Sequence, residues 1–363
     1  MKKKMKRVLG VILSLTLVLS LAACGSSSTE DTSDSSADSA DSASDSGEIS
    51  LELSGETITF WGVNDPQISA QQIIADALGY FEEEGVDVDF QFLQTGTDMS
   101  SLMAGGEAVI CCEAQYQTTT LKSNGVDYTI LCPLANCGGT QCVVAAPDSG
   151  ITSSADLEGA TIAMSNGAGV NMAIKSMCEA TGVDYDSITF VYCDPSEQLA
   201  ALLNGDVDAM ACWEPYCSQA VEEGGTLLFN GIYSYLEDCE GEVEWMSFYS
   251  TLHVSDDFLE THAGDVVAIM KALYRATEYI NENRDEAVAI IAEACEVDED
   301  TVALIMSENT YSMEWDDSFA DGIVAYAEYM YESDNISNIP DYDTYTDTTY
   351  LSLVDESLVT VTD

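Results

Sequence analysis

Short apolar runs alternate with helical patterns along most of the chain, and this alternation constrains the fold more than any other feature. Val86, Val88, Phe90 and Phe92 alternate with polar residues, as in a strand with one buried face. Comparable runs predict further strands at residues 58–61, 108–112, 128–132, 141–146, 161–164, 188–192 and 208–212. Strands separated by helices favour parallel sheets covered by helices, so we expect an α/β fold.

Helices are predicted in several of the intervals between strands. One covers residues 71–81. Another begins after Asp194, because an acidic cap is followed by Pro195 at the first helical position and Glu197 at the third. The buried face of this second helix is expected to consist of Leu199, Leu202 and Leu203.

The final third of the chain changes character and is predicted to be helical. One helix is indicated by apolar and small residues at helical spacing, namely Val266, Ile269, Met270, Leu273, Tyr274, Thr277 and Ile280. A second helix follows at residues 286–295, strand signals largely vanish, and no repeat with a period of 20–50 residues is evident. The α/β part is therefore expected to carry a helical C-terminal segment.

The N-terminus has the pattern of an export signal. A basic segment at residues 2–7 precedes 14 apolar-rich residues from Val8 to Leu21, which are too few to span a bilayer comfortably. The following Ala22-Ala23-Cys24 resembles the lipobox of bacterial lipoproteins. This resemblance implies a signal peptide at residues 1–23 and an acyl chain such as palmitate on Cys24. An ordinary cleavage site with an incidental cysteine is the alternative.

A polar segment separates this signal from the folded part. Residues 25–50 contain eleven serines and seven acidic residues and no aromatic residue. Such a composition cannot bury enough apolar area to offset the entropy of ordering. We therefore expect residues 24–56 to form a disordered tether that reaches about 30 Å as a random coil.

Acidic residues outnumber basic ones by 65 to 10. Five of the basic residues lie within the first seven positions, and the others are Lys122, Lys175, Lys271, Arg275 and Arg284. A folded surface of this composition repels phosphate backbones, so nucleic-acid binding is excluded.

Eleven cysteines follow Cys24, but their spacing does not indicate a metal site. No C-x-x-C motif occurs, and the only histidines are His253 and His262, so no metal is expected. Most of the cysteines lie in predicted strands, where cysteine acts as a small apolar residue. One or two disulfides involving Cys132, Cys137 or Cys142 remain the alternative.

Motifs for catalysis or cofactor binding are scarce. The chain has no G-x-S-x-G segment and no Walker loop. Gly167-Ala168-Gly169 follows a predicted strand, but Met172 stands where a dinucleotide-binding motif requires glycine, so no cofactor is expected. This turn can present backbone N–H groups to a ligand, or it can serve packing alone. Glu113 and Glu214 lie at or near strand ends, where open α/β sheets bind ligands.

Five segments in consistent order and spacing resemble one family. The chain has GYFEEEGVDV at 79–88, LMAGGEA at 102–108, DSGI followed by ADLEG at 148–159, and GDVDA followed by WEP at 205–215. Residues 255–289 resemble the C-terminal helices of the same family. Together they are similar to solute-binding proteins for sulfonates, nitrate, taurine and pyrimidine precursors, which serve ABC importers.

The resemblance implies a two-lobed type II periplasmic-binding-protein fold with a hinge between the lobes. The first lobe would comprise residues 57–146 plus 246–363, and the second lobe residues 147–245. A monomer anchored by its lipid to the outer face of the cytoplasmic membrane would close on a small molecule and deliver it to an ABC permease. This role is not enzymatic. Sensing instead of transport stays open.

The ligand implied by the family is an anion in several members, but this chain departs from that pattern. No arginine lies between Arg7 and Arg275 to bind an anion. Aromatic residues near strand ends favour a planar neutral or cationic ligand, such as a pyrimidine or thiamin precursor. One alternative is a sulfonate, taurine or nitrate ligand. The other is an exported pyrimidine-synthesis enzyme. Enzymes of that kind in the family carry a cysteine-rich motif with histidine, and the Cys111-Cys112-Glu113 segment of this chain does not reproduce it.

The expected ligand-binding residues come from both lobes. Those of the first lobe are Trp61, Asn64, Asp65, Thr97, Asp98, Glu113 and Tyr116. Those of the second lobe are Ser165, Gly167, Asn171, Trp213 and Glu214. For Trp213, a hydrophobic lid over the hinge is the alternative.

Overall fold

The structure is a computed structural model that describes residues 49–93 and 99–362. Two mixed β-sheets form the framework of this part of the chain. The first sheet has six strands in the order β13-β4-β12-β3-β1-β2. Its strands are β1 (Thr57–Val63), β2 (Asp87–Leu93), β3 (Ile110–Ala114), β4 (Tyr128–Asn136), β12 (Tyr249–Ser255) and β13 (Thr310–Tyr311).

The second sheet has seven strands in the order β11-β10-β9-β5-β8-β6-β7. They are β5 (Gln141–Ala145), β6 (Thr161–Met164), β7 (Thr189–Tyr192), β8 (Ala209–Trp213), β9 (Thr226–Asn230), β10 (Tyr233–Ser234) and β11 (Gly241–Glu242). The strands expected between residues 58 and 212 correspond to β1–β8, whereas β9–β13 were not predicted.

Helices pack around both sheets. They are α1 (Ala70–Ala77), α2 (Tyr80–Glu83), α3 (Met99–Ala104), α4 (Tyr116–Ser123), α5 (Val170–Thr181), α6 (Pro195–Asn204), α7 (Tyr216–Glu222), α8 (Asp256–Glu282), α9 (Arg284–Cys295), α10 (Glu299–Ser307), α11 (Asp317–Glu332) and α12 (Thr349–Val354). The expected α/β fold with a helical C-terminal segment is therefore confirmed. Within the described residues, none of these helices combines the length and apolar character needed to cross a membrane.

The prediction of parallel sheets is only partly right. β1 is parallel to β2 and β3, and β6 is parallel to β7 and β8. By contrast, β12 is antiparallel to β3 and β4, and β5 is antiparallel to β8 and β9. β4, β5 and β12 lie next to the two places where the chain passes from one sheet to the other. These strands are therefore not joined to their neighbours by the crossover helices that parallel pairing requires.

Two helix predictions were wrong in detail. The helix expected at residues 71–81 is divided into α1 and α2, because Gly79 adopts a φ of +73°, which ends the helical geometry. In α6, Leu202 is buried as expected, but Leu203 is 39% exposed, and Gln198 takes a buried position instead. The helix begins at Pro195 as predicted, although the Asp194 side chain makes no capping hydrogen bond.

The C-terminal helices agree with the predicted spacing. α8 buries Val266, Ile269, Met270 and Leu273 completely in the core of the first sheet. Residues at the end of the predicted tether contact this helix, since the Ser54 N–H donates to both carboxylate oxygens of Asp265 at 3.2 Å. The expected signal peptide, Cys24 and the tether up to residue 48 lie outside the described residues.

The eleven cysteines that the structure describes are all free thiols. Nine are buried, and only Cys193 and Cys239 are partly exposed. The disulfide alternative is absent from this part of the chain, and the buried thiols pack as small apolar side chains.

We expect thiol reactivity to follow this pattern of burial. In the native protein, iodoacetamide should label Cys193 and Cys239 first, because the other nine thiols are shielded from the reagent. Mass spectrometry of non-reduced peptides measures the labelling at each site. In denaturant all eleven should react, and a disulfide-linked peptide pair in either sample would contradict the assignment.

Candidate functional site

Two adjoining cavities lie where strands of the two sheets end. The Glu113 cavity has a volume of about 230 Å³ and is lined mainly by Asp65, Glu113, Tyr116, Gln141, Trp213, Phe248 and residues 165–169. The Glu214 cavity has about 780 Å³ and is lined by residues that include Asn64, Tyr192, Glu214 and Tyr216. The two cavities share Asp65, Gln67, Ser165, Asn166 and Trp213.

Asp65 lies two residues beyond the end of β1 and shapes the turn that leads into α1. One carboxylate oxygen, Oδ1, accepts the N–H of Gln67 at 2.8 Å and that of Ile68 at 2.7 Å. Burial raises the pKa of Asp65 to about 6, because the loss of hydration outweighs these two hydrogen bonds. The turn thereby holds a carboxyl group at the junction of the two cavities.

Glu113 is the most unusual residue of the site. Its side chain emerges from the central strand β3 and is only 3% exposed. Oε1 accepts the N–H of Ala114 at 2.9 Å, whereas the buried Oε2 has no hydrogen-bond partner among the described residues. Burial raises the pKa of Glu113 to about 8, the Ala114 N–H opposes this rise, and the charge of Asp65 adds to it. The carboxyl group is therefore largely protonated at neutral pH.

The residue behind Glu113 is a neutral histidine. His253 is fully buried, with Nδ1 2.6 Å from Thr118 Oγ1 and Nε2 3.0 Å from the backbone oxygen of Glu113. Burial lowers the pKa of His253 to about 4, so the ring carries no charge at neutral pH. His253 therefore supports the strand but gives no counter-charge to Glu113.

Aromatic side chains form two walls of the Glu113 cavity. On the first-sheet side, the ring of Tyr116 at the start of α4 lies 6.3 Å from that of Phe248 and stacks on Tyr326 at 5.7 Å between centroids. Trp213 at the end of β8 forms part of the wall on the second-sheet side. A flat molecule can contact rings from both sides.

The turn at residues 165–169 closes the second-sheet side. The Ala168 N–H donates to the Ser165 oxygen at 3.1 Å, and Gly167 has a φ of +74°, a conformation that favours glycine. The Ser165 hydroxyl accepts the side-chain N–H of Gln198 at 2.9 Å. The turn leads directly into α5, so backbone N–H groups at a helix start lie beside the cavity.

Glu214 belongs to the second cavity and is 7% exposed. Its Oε2 accepts the backbone N–H of Ser218 at 3.0 Å, within the first turn of α7. Burial is the main cause of its raised pKa. Gln67 links the two sides, since its Nε2 donates to the backbone oxygen of Glu214 at 3.4 Å.

The structure brings together eight of the expected site residues. These are Asn64, Asp65, Glu113, Tyr116, Ser165, Gly167, Trp213 and Glu214, each of which lines at least one cavity. Thr97 and Asp98 lie outside the described residues. Sequence reasoning missed Gln67, Gln141, Asn166 and Phe248. Gln67 is two residues from the expected Asp65, and Asn166 is next to the expected Ser165. This proximity in the sequence could have indicated both residues.

Two expected site residues line neither cavity. Trp61 packs against a cluster that includes Met99, Met103 and Tyr128, because side chains alternate along β1 and place it on the opposite face from Phe60. Asn171 is engaged by two tyrosines, donating to Tyr329 Oη at 3.1 Å and accepting from Tyr185 Oη at 2.8 Å. Direct ligand contact is therefore not assigned to either residue.

No lysine or arginine of the described residues lines either cavity. Lys122 is paired with Asp127, and Arg275 with Glu83 and Glu84. Arg284 donates to the Met306 backbone oxygen at 3.1 Å. The cavities thus combine four carboxyl groups, those of Asp65, Glu113, Asp194 and Glu214, with aromatic rings, amides and backbone N–H groups.

Comparison with known proteins identifies the families and structures to which this chain is similar. The family model described as NMT1/THI5 like matches residues 67–287. A protein of Bacillus subtilis (strain 168) named putative aliphatic sulfonates-binding protein is 24% identical over 242 residues, which cover 64% of this chain and 69% of that protein. The formylaminopyrimidine-binding protein of Halalkalibacterium halodurans is 25% identical over 224 residues, covering 59% of this chain and 62% of that protein.

A further relative is named as an enzyme. It is the 4-amino-5-hydroxymethyl-2-methylpyrimidine phosphate synthase of Schizosaccharomyces pombe, 23% identical over 210 residues, which cover 56% of this chain and 59% of the enzyme. Among solved structures, the periplasmic aliphatic sulphonate binding protein SsuA from Escherichia coli has a TM-score of 0.67 at 16% identity. That alignment covers 80% of this chain and 91% of SsuA, which shows the same fold.

The resemblance found in the sequence is therefore confirmed. The family match spans more than half of the 363 residues, and the two-sheet fold agrees with that of the solute-binding protein from E. coli. This chain belongs to the NMT1/THI5 like family.

Proposed function

We propose that this protein binds a small, planar molecule that is neutral or cationic and carries N–H donors, and that it delivers this molecule to an ABC importer. A pyrimidine or thiamin precursor has this chemistry. The observation that carries the proposal is the buried Glu113 Oε2, which has no partner among the described residues and belongs to a residue that lines the cavity.

A ligand N–H is the group that best completes the Glu113 cavity. The unpartnered Oε2 costs free energy that a ligand would recover, either by donating an N–H to the ionised carboxylate or by accepting the O–H of the protonated one. A cationic ligand would in addition favour the ionised forms of Glu113 and Asp65, whose pKa values are raised by burial. An anion would meet four carboxyl groups and no basic side chain among the described lining residues.

The dimensions of the Glu113 cavity support a ligand of about one ring. Its volume of about 230 Å³ is below the range of roughly 300–1,000 Å³ that is typical of sites for drug-sized molecules. Trp213 and Tyr116 would contact the faces or edges of that ring, and the adjoining Glu214 cavity would admit a substituent.

A sulfonate, taurine or nitrate ligand is the second candidate. The name of the B. subtilis relative and the structural similarity to the E. coli sulphonate-binding protein favour it. The backbone N–H groups at the start of α5 would then supply the donors for the anion.

We further propose how the protein is placed at the membrane. Residues 1–23 would be removed, Cys24 would carry the lipid, and residues 24–56 would connect it to the lobes at 57–146 plus 246–363 and at 147–245. The protein would act as a monomer on the outer face of the cytoplasmic membrane, beside its permease. Binding, not catalysis, is the proposed activity.

Ligand class can be tested by thermal unfolding. We expect hydroxymethylpyrimidine or thiamin to raise the Tm by several degrees at saturating concentration, since ligands that bind only the folded state stabilise it. Taurine, alkanesulfonates and nitrate should have no effect. Stabilisation by sulfonates alone would contradict the proposed ligand class and support the second candidate.

A substitution tests the site itself. Trp213→Ala should abolish the ligand-induced rise in Tm, because it removes one wall of both cavities. Tyr331→Ala is the matched control, since this aromatic side chain is 49% exposed and lines neither cavity. An unchanged ligand response in Trp213→Ala would show that the site assignment is wrong.

The carboxyl groups should make the stability of the empty protein depend on pH. The pKa of Glu113 is raised from 4.5 to about 8, so the folded state holds a proton that the unfolded state releases above pH 4.5. Glu113 alone should therefore lower the free energy of unfolding as the pH rises from 4.5 to 8, by at most about 1.4 kcal/mol per pH unit. Urea unfolding at pH 5 and pH 8 measures this loss, which Glu113→Gln should reduce. An equal slope in wild type and variant would refute the protonated state of Glu113.

The lipid anchor has its own test. After expression of the full chain in a bacterial host, the protein should incorporate labelled palmitate and sediment with membranes. Cys24→Ala should lose the label, whereas Cys239→Ala, which removes another cysteine, should retain it. Retention of the label by Cys24→Ala would exclude Cys24 as the acylated residue.

A further inference from the structure

Helix α11 is packed against both sheets, and its first half belongs to the first one. Phe319 and Ile323 are part of the apolar core around that sheet, and the Phe319 ring lies 4.9 Å from the ring of Tyr249. Gly322 lies so close to the chain returning to this sheet that a Cβ atom would come within 2.9 Å of Ser247 Cβ. These apolar contacts fix the first half of α11 to the first sheet.

The second half of α11 shares a buried apolar cluster with α5, the helix that follows the turn at 165–169, and polar groups at the edge of this cluster add hydrogen bonds between the two helices. The Asn171 side chain donates to Tyr329 Oη at 3.1 Å. One turn further along α5, Lys175 Nζ donates to Ser333 Oγ at 2.9 Å and lies 5.3 Å from the centroid of the Tyr329 ring. Tyr185 Oη donates to Asn171 Oδ1 at 2.8 Å and so fixes the orientation of this amide. Polar contacts of this kind can be exchanged for water at a small net cost.

A third contact connects α11 directly to the ligand site. Tyr326 stacks on Tyr116, which forms one wall of the Glu113 cavity. Its hydroxyl is so close to Gly169 that a Cβ atom there would lie 2.5 Å from Tyr326 Oη. Tyr326 therefore fills the space between the Tyr116 wall and the turn at 165–169.

We propose that α11 is a clasp between the two sides of the site, in which Tyr326 and Tyr329 are positioning residues. The first half of α11 stays with the first sheet. Its second half holds α5, and through α5 the turn at 165–169, against the Tyr116 wall. Separation of the two walls then requires the Asn171–Tyr329 and Lys175–Ser333 contacts to break. Asn171 thus acts on the ligand site from outside it.

The role of this turn as a ligand wall rests on the proposed function, but the clasp can be measured without any ligand. Hydrogen exchange with mass spectrometry on the ligand-free protein reports the opening of peptide 165–172. The variant combines Tyr329→Phe with Lys175→Met, which removes both polar contacts and keeps the buried ring. Tyr331→Phe on the same helix is the control.

We expect exchange in peptide 165–172 to be at least about fivefold faster in the double variant, since about fivefold corresponds to the loss of one ordinary hydrogen bond and the variant removes two. Exchange in β1 and β3 and the response of the control should stay at wild-type values. No local increase, or an equal increase throughout the chain, would overturn the proposal. If the double variant does not fold, Lys175→Met alone is measured with the same two criteria. Failure here would leave the proposed ligand class untouched, because no ligand enters the experiment.

Discussion

The chain passes between its two sheets twice, and the close contact of these two passages determines where the site can form. The Cys137 N–H on the first passage donates to the Phe248 oxygen on the second at 2.6 Å. A Cβ atom on Gly138 would lie 2.9 Å from the Met246 oxygen, so only glycine allows the backbones to approach this closely. Gln141 and Phe248 lie next to these passages and line the Glu113 cavity. Binding residues from both sheets are therefore held close to the point about which the sheets could move.

Charge is distributed differently inside the cavities and on the surface. Four of the five basic residues of the described part contact acidic residues, the Ser333 hydroxyl or a backbone oxygen away from the cavities. Three of the four carboxyl groups that line the cavities, those of Asp65, Glu113 and Glu214, pair with no basic residue, and burial raises the pKa of each of the three. The net charge of −55 by itself excludes only nucleic acid as a partner and does not indicate the ligand. The placement of the few cations is what bears on the ligand, because it leaves the site without a basic side chain among its described lining residues.

Much of the fold followed from local patterns, whereas the errors arose where tertiary contacts decide. The strands up to β8 carry apolar runs that local periodicity detects. β12 was missed because its polar residues Ser250, Thr251 and His253 are completely buried and satisfied by partners far away in the chain. Asn171 has the composition and position of a ligand-binding residue, but Tyr329, 158 residues further on, engages its amide. No local pattern could show this contact.

The protonation of Glu113 gives the site a graded response to ligand charge. In its neutral form the carboxyl group offers one donor and one acceptor, so a neutral ring with N–H groups can bind without any ionisation. A cationic ligand is attracted to the ionised carboxylate, which strengthens its binding. Its net binding free energy is reduced by the cost of releasing the proton that Glu113 holds with a pKa of about 8. An anion obtains only the single donor of the neutral form, and it opposes the charge of Asp65 nearby. The same burial that destabilises the empty protein at high pH therefore ranks ligands by charge, and cations and neutral N–H donors stand above anions.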